Sequence, residues 1–206
     1  EGDMLVYKSL EGIRYEFERR LTSQLGILNK IVDTNGNTTQ FDYIERFDVP
    51  LLSEITDASG RRVTFAYGAE GGSQWDKIVQ LRETVNAQNP RTIQYDYDSS
   101  GNLTTVTDNR FYDGQTDSIV KQYEYNAQSE LLRYIDPRGT ILYNEYDGAG
   151  RVVRQQEYNP RIDSVGVPRT VYELQYQGGI ADAPGSTSCT TVLNYRDGAT
   201  HYDDLL

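Results

Sequence analysis

The chain has 206 residues and a formal net charge of −11, with 37% apolar and 25% charged residues. This acidic balance argues against a phosphate backbone or an anionic bilayer as partner, and no apolar run approaches the length of a membrane span. A single Cys (Cys189) and a single His (His201) exclude an internal disulfide and a Cys/His zinc site made by one chain alone.

Seventeen Tyr and 18 Gly against 6 Pro point to many short strands joined by tight turns. Tyr suits a half-buried strand, and Gly supplies the positive φ that turns need. The first twenty residues lack the basic-then-apolar order of a signal peptide. In chain order, strands over 5–7 and 13–17 flank a turn over 9–12, and a second turn follows over 23–26. A repeat then begins. Leu28 and Leu52 are each followed by Ile31 and Ile55, Asp33 and Asp57, Gly36 and Gly60, and Tyr43 and Tyr67, at identical offsets and a shift of 24 residues. Each unit reads as a hairpin: a strand ending at the Asp, an Asp-x-x-Gly turn, and a strand in which Thr39, Phe41 and Tyr43 alternate with polar residues.

Later copies keep the rule with drift. Trp75, Ile78 and Gln80 stand at the Leu, Ile and Asp positions of the third. Tyr97, Gly101, Leu103, Val106 and Asp108 carry the next. Tyr125, Leu131, Tyr134, Asp136 and Gly139 follow, and then Tyr146, Gly150, Val152, Gln155 and Glu157. The turn-entry position therefore falls at 33, 57, 80, 108, 136 and 157. Four interruptions, over 68–73, 83–90, 109–118 and 159–168, read as surface loops. A strand over 171–176, a small-residue loop over 178–188 and a last hairpin (191–195 with 200–202) complete the chain. No stretch carries helical periodicity. The expected organisation is a single β domain over residues 1–206, with repeats over about 3–176 and an irregular C-terminal hairpin over 177–206.

Tyr146-Asp147 before Gly150-Arg151, and Tyr97-Asp98 before Gly101-Asn102, resemble the tyrosine–aspartate pattern of YD-repeat (Rhs-repeat) proteins. The lead-in from Tyr7 through Gly12 to Phe17 resembles the segment that precedes such arrays. The resemblance implies an all-β fold of tandem antiparallel hairpins, wound into a curved or spiral sheet that forms part of an Rhs-type β-shell. It implies a non-catalytic structural module of a larger bacterial protein, secreted or displayed on the cell surface. Its partners would be the rest of the same polypeptide or shell and an enclosed toxin or other C-terminal cargo. The alternative is a cell-surface adhesin module that binds carbohydrate or a partner protein.

Motifs for chemistry are scarce. There is no phosphate-binding Gly loop, no dinucleotide fingerprint and no serine elbow. Asp136-Pro137-Arg138-Gly139 is similar to an Asp-Pro-x-Gly element of the self-cleaving core of Rhs shells. It sits at the repeat's own turn position, however, and no catalytic residue is carried over. Asp33, Asn35 and Asn37 share residue types with a calcium loop, but Gly36 is fourth rather than sixth and Ile44 stands where the bidentate Glu would be. No cofactor or metal is expected. Asn37-Thr-Thr39 and Asn102-Leu-Thr104 match the glycosylation sequon. Cys189 reads as a bystander thiol. Trp75 fits the core Leu position of its repeat, and if exposed it is the candidate glycan contact.

Overall fold

The computed structural model describes residues 4–19, 26–84, 90–112, 115–163, 167–176, 190–194 and 201–205. Among these residues every regular element is a strand, and no helix is present. The chain divides into two compact units, Glu1–Asp96 with Thr107–Ile119, and Tyr97–Val106 with Val120–Leu206.

The first unit opens with β1 (Met4–Lys8), β2 (Arg14–Arg19), β3 (Gly26–Val32) and β4 (Thr38–Arg46). It continues with β5 (Val49–Thr56), β6 (Arg62–Tyr67), β7 (Ile78–Thr84) and β8 (Arg91–Tyr97), the last ending at the unit's edge. Parts of β9 (Leu103–Tyr112) and β10 (Gln115–Tyr125) fall in each unit. The second unit adds β11 (Leu131–Ile135), β12 (Ile141–Tyr146), β13 (Val152–Tyr158) and β14 (Arg169–Tyr176). It closes with β15 (Thr190–Asn194) and β16 (His201–Leu205). Within each unit every strand is hydrogen-bonded to the next in chain order, and the registered pairs are antiparallel. A chain of hairpins permits this order because each strand returns beside the one just laid down.

The alternation read from the sequence sorts residues onto two faces. In the first unit one face runs Tyr7, Tyr15, Ile31 and Thr39 across successive strands. Two residues along β4 it resumes with Phe41, Ile55 and Val63, then with Phe65, Leu81 and Ile93. The other face carries Glu16, Lys30, Gln40, Thr56, Arg62 and Thr84 in register. Directly paired side chains share a face, so these rows are the units of sheet stabilisation.

Leu28 and Ile31 are three apart, which strict alternation would put on opposite faces. The structure resolves this with a β-bulge. The register shifts between Glu16 and Phe17, Asp42 and Tyr43, Ala66 and Tyr67, Glu124 and Tyr125, and Glu145 and Tyr146. Each time one extra residue on the neighbouring strand (Asn29, Ser53, Val79, Leu132 or Val153) is left unpaired. The Leu-type residue thereby returns to the face of the Ile-type residue and meets the repeat's aromatic, as Tyr43 meets Leu52.

The register corrects three expectations. Tyr67 pairs with Ile78 and Phe65 with Leu81. Ile78 is thus the Leu-equivalent of the third repeat, in place of Trp75, and the repeat position given to Gln80 moves to Glu83, inside β7. Asn109–Ser118 is mostly strand, because β9 and β10 extend through it. Asp108 and Glu157 lie inside β9 and β13, and only Asp33, Asp57 and Asp136 of the series enter turns. The expected turn over 23–26, the loop over 178–188 and the turn around Asp197 lie largely outside the described residues, as does Cys189.

Among the described residues no side chain is fully buried, and most strand residues are half-buried. Each unit is therefore a sheet whose apolar face is only partly covered.

Candidate functional site

The residues that look chemically interesting are first of all turn residues. At 33–37, 57–61, 98–102, 136–140 and 147–151 the same device recurs. The Asp N–H donates to the carbonyl of the residue four on, and the N–H of Gly36, Gly60, Gly101, Gly139 or Gly150 donates back to the Asp carbonyl. The Asp Oδ1 accepts two further N–H groups, two and four residues on, at 2.8–3.0 Å in every copy. The Gly has φ between 75° and 87°, as a three-residue hairpin loop with a left-handed last residue requires. Asn126 builds a sixth copy with Ser129 (φ 63°) in the Gly role.

The residue after the Gly completes the device. Asn37, Arg61, Asn102 and Arg151 each donate a side-chain N–H to the second carboxylate oxygen at 2.6–3.0 Å. Where the turn residue is Asn126, the donor and acceptor roles reverse and its Nδ2 donates to Glu130 Oε2. These bonds hold the carboxyls of Asp33, Asp57, Asp98 and Asp147 below the usual carboxylate range. The chief causes are the side chains of Asn37, Ser59 and Asn102 and, for Asp147, the Arg151 N–H. Asp136 sits in this same arrangement, with Arg138 and Thr140 as its N–H donors. Among the described residues no group of three or more His, Cys, Asp or Glu could hold a metal ion.

The repeat's tyrosines have a second task. The hydroxyls of Tyr43, Tyr67 and Tyr146 each donate to the carbonyl fifteen residues back, of Leu28, Leu52 and Leu131, at 2.8 Å. Each bond ties a strand to the Leu position of the strand just before it, Tyr43 on β4 to Leu28 on β3, Tyr67 on β6 to Leu52 on β5 and Tyr146 on β12 to Leu131 on β11. One carboxylate stands apart from the turns. Asp108, 9% exposed on β9, accepts both Nε (2.8 Å) and Nη2 (2.7 Å) of Arg91 from β8, and Arg110 closes on it from its own strand. The Arg91 hydrogen bonds lower its pKa to about 2.

Trp75 lies in the turn-rich segment between β6 and β7, half-buried. Gly68 anchors this segment. It donates to the Lys77 carbonyl, and a Cβ there would collide with the Gln74 backbone carbonyl oxygen. Arg46, at the end of β4, reaches over and donates from Nη1 to the carbonyls of Gly68 (2.5 Å) and Trp75 (3.2 Å). Trp75 meets Phe47 edge to face, with centroids 5.1 Å apart and planes at 77°. Together with Gly71, Gly72 and Ser73 the two rings line an open groove of about 410 Å³. Phe47 was not marked by any motif. It occupies a two-residue turn of the kind usually signalled by Asn-Gly, and Phe47-Asp48 gives no such signal.

No family model matches the chain, and no curated protein matches it. Solved structures do. The crystal structure of TcdB2-TccC3 matches 96% of this chain at 13% identity and a TM-score of 0.62, over 10% of its own length. That of TcdB2-TccC3-TEV matches 95% at 12% identity and a TM-score of 0.60, over 11% of its length. The Photorhabdus luminescens Tc holotoxin pore matches 85% at 11% identity and a TM-score of 0.52, over 12% of its length. This chain thus spans about a tenth of the chains it resembles. At such identities the likeness is one of fold. The chain is an all-β array of antiparallel hairpins, with the fold of Rhs/YD-repeat shell proteins.

Proposed function

We propose that this chain is a wall segment of a larger Rhs/YD-type β-shell, a structural module without a reaction of its own. The observation that carries the reading is the use made of the polar residues. In copy after copy the Asp closes a turn and the Tyr hydroxyl ties strands together. The side chains from which a catalytic centre would be drawn are occupied in repeating the hairpin. A sheet with no fully buried side chain among its described residues also suits a thin wall better than a free-standing core. Repeat units cover their faces and edges with neighbours. Here β1 leaves Met4, Leu5, Val6 and Tyr7 all about half exposed or more.

In this proposal the array runs on through further repeats of the same polypeptide, and the closed shell encloses a toxic C-terminal cargo in an exported bacterial protein. Support comes from the Tc toxin structures, of which this chain matches a short stretch. The test is protease protection in the whole natural protein. The cargo should survive digestion while the wall is intact and be degraded once mild denaturant opens it. A cargo digested equally fast in both states rejects encapsulation. A natural protein with no further YD repeats would reject the wall segment itself.

A further inference from the structure

Phe47 and Asp48 both have positive φ, 50° and 61°. Asp tolerates that conformation, whereas Phe is strained in it and Gly would not be. The position nevertheless holds an aromatic ring that is 58% exposed. Strain at a surface aromatic is an observation from which function is inferred. The ring stands nearly perpendicular to that of Trp75, so the pair forms two walls of the open groove. The rest of its lining, Gly71, Gly72 and Ser73, carries no bulky side chain.

Carboxylates outnumber cations in the sequence around the groove. Asp48, Glu70 and Asp76, all exposed, directly adjoin the lining residues Phe47, Gly71 and Trp75 in sequence. Two cations stand beside them: Arg46, which donates to the Gly68 and Trp75 carbonyls, and the half-buried Lys77. Two aromatic walls at right angles beside carboxylates form a setting that favours a cation, through the ring quadrupoles and through direct attraction. The chain's net charge of −11 steers the same kind of partner. We propose that the Phe47–Trp75 groove docks a lysine or arginine side chain of a basic polypeptide segment. A neutral sugar would stack on the rings without gaining from the carboxylates.

Trp75 is the only Trp, so its emission reports on the groove directly. The probe is a Gly-Ser peptide with a central Lys-Arg pair, titrated into the chain beside the same peptide with Ala-Ala and beside methyl glucoside. The expected result is a saturable emission change with the basic peptide alone, weakened by added salt. Phe47→Gly removes one wall while suiting the turn's φ, and should weaken binding about three- to thirtyfold. The double change Asp48→Asn, Asp76→Asn keeps both rings and should also weaken it. No saturable change, an equal response to the Ala-Ala peptide or the glucoside, or undiminished binding by Phe47→Gly would each overturn the proposal.

Discussion

Gly60 and Ser129 hold the same place in two copies of one turn, at φ 83° and 63°. A Cβ built on Gly60 meets nothing within 4 Å, so Gly60→Ala isolates backbone strain from collision. The left-handed region costs a residue with a Cβ about 1–2 kcal/mol, and that is the expected loss of unfolding free energy. Ser129 already bears this strain, so Ser129→Gly should stabilise. The gain should be smaller, roughly 0.5–1 kcal/mol, because Gly also adds freedom to the unfolded chain. Urea denaturation of both variants beside the parent checks the pair. A neutral Gly60→Ala would show that the hydrogen-bonded ring of the turn, and not the Gly, sets its conformation. The same physics explains the preference for Asn or Arg after the Gly. Asn37, Arg61, Asn102 and Arg151 supply the donor that the second carboxylate oxygen needs.

At the scale of strands, Asp108 pins β8 to β9 through Arg91 and, on its own strand, holds Arg110. Its folded-state pKa, about 2, lies below its ordinary value of 3.8. The stability it contributes is therefore present in full above pH 3.8 and is lost as pH falls toward 2. The turn carboxylates Asp33, Asp57, Asp98 and Asp147 shift in the same direction and add to the loss. Asp108→Asn should cost roughly 2 kcal/mol at pH 7 and flatten the acid limb of the stability curve, followed by urea midpoints from pH 5 down to 2. An unchanged acid limb in the variant would remove Asp108 from the account. This pin was not legible in the sequence, where an Asp in repeat phase reads as a turn residue. Its partner Arg91 lies 17 residues upstream, and only the pairing of strands brings the two together. The hairpins themselves were legible because Asp, Gly and Tyr act within a few residues of their own positions. The phase of the third repeat was not. Trp75-x-x-Ile78 and Ile78-x-x-Leu81 satisfy the same spacing, and only the partner strand, through Tyr67 and the bulge, decides between them. The β9–β10 hairpin was hidden for a related reason. Its polar residues resemble a loop, yet Ser118 Oγ donates to Asn109 Oδ1 across it.

Among the described residues of each unit, strands pack chiefly on their neighbours in sequence. Within each unit the substantial contacts are between successive strands. Stability then accumulates by nearest-neighbour interfaces, as in a solenoid, and not through a shared core. The tyrosine bonds reinforce these same interfaces, from Tyr43 on β4 to Leu28 on β3 and from Tyr67 on β6 to Leu52 on β5, so a local loss is felt chiefly by the adjoining strand. Removing residues 1–19, which include β1 and β2, deletes the interface with β3 and no part of the Tyr67–Leu52 tie or the Arg46 contacts. The truncated chain should therefore keep the native Trp75 emission and still unfold cooperatively. Its Tm should fall by about 2–4 °C for each kcal/mol that the lost interface contributed. Bare β3 would expose a fresh edge, so association measured by sedimentation should increase, and more so when salt screens the chain's negative charge. If the truncation instead abolished the Trp75 signal, β1 and β2 would belong to one cooperative body with the loop some fifty residues away, and nearest-neighbour additivity would fail for this array.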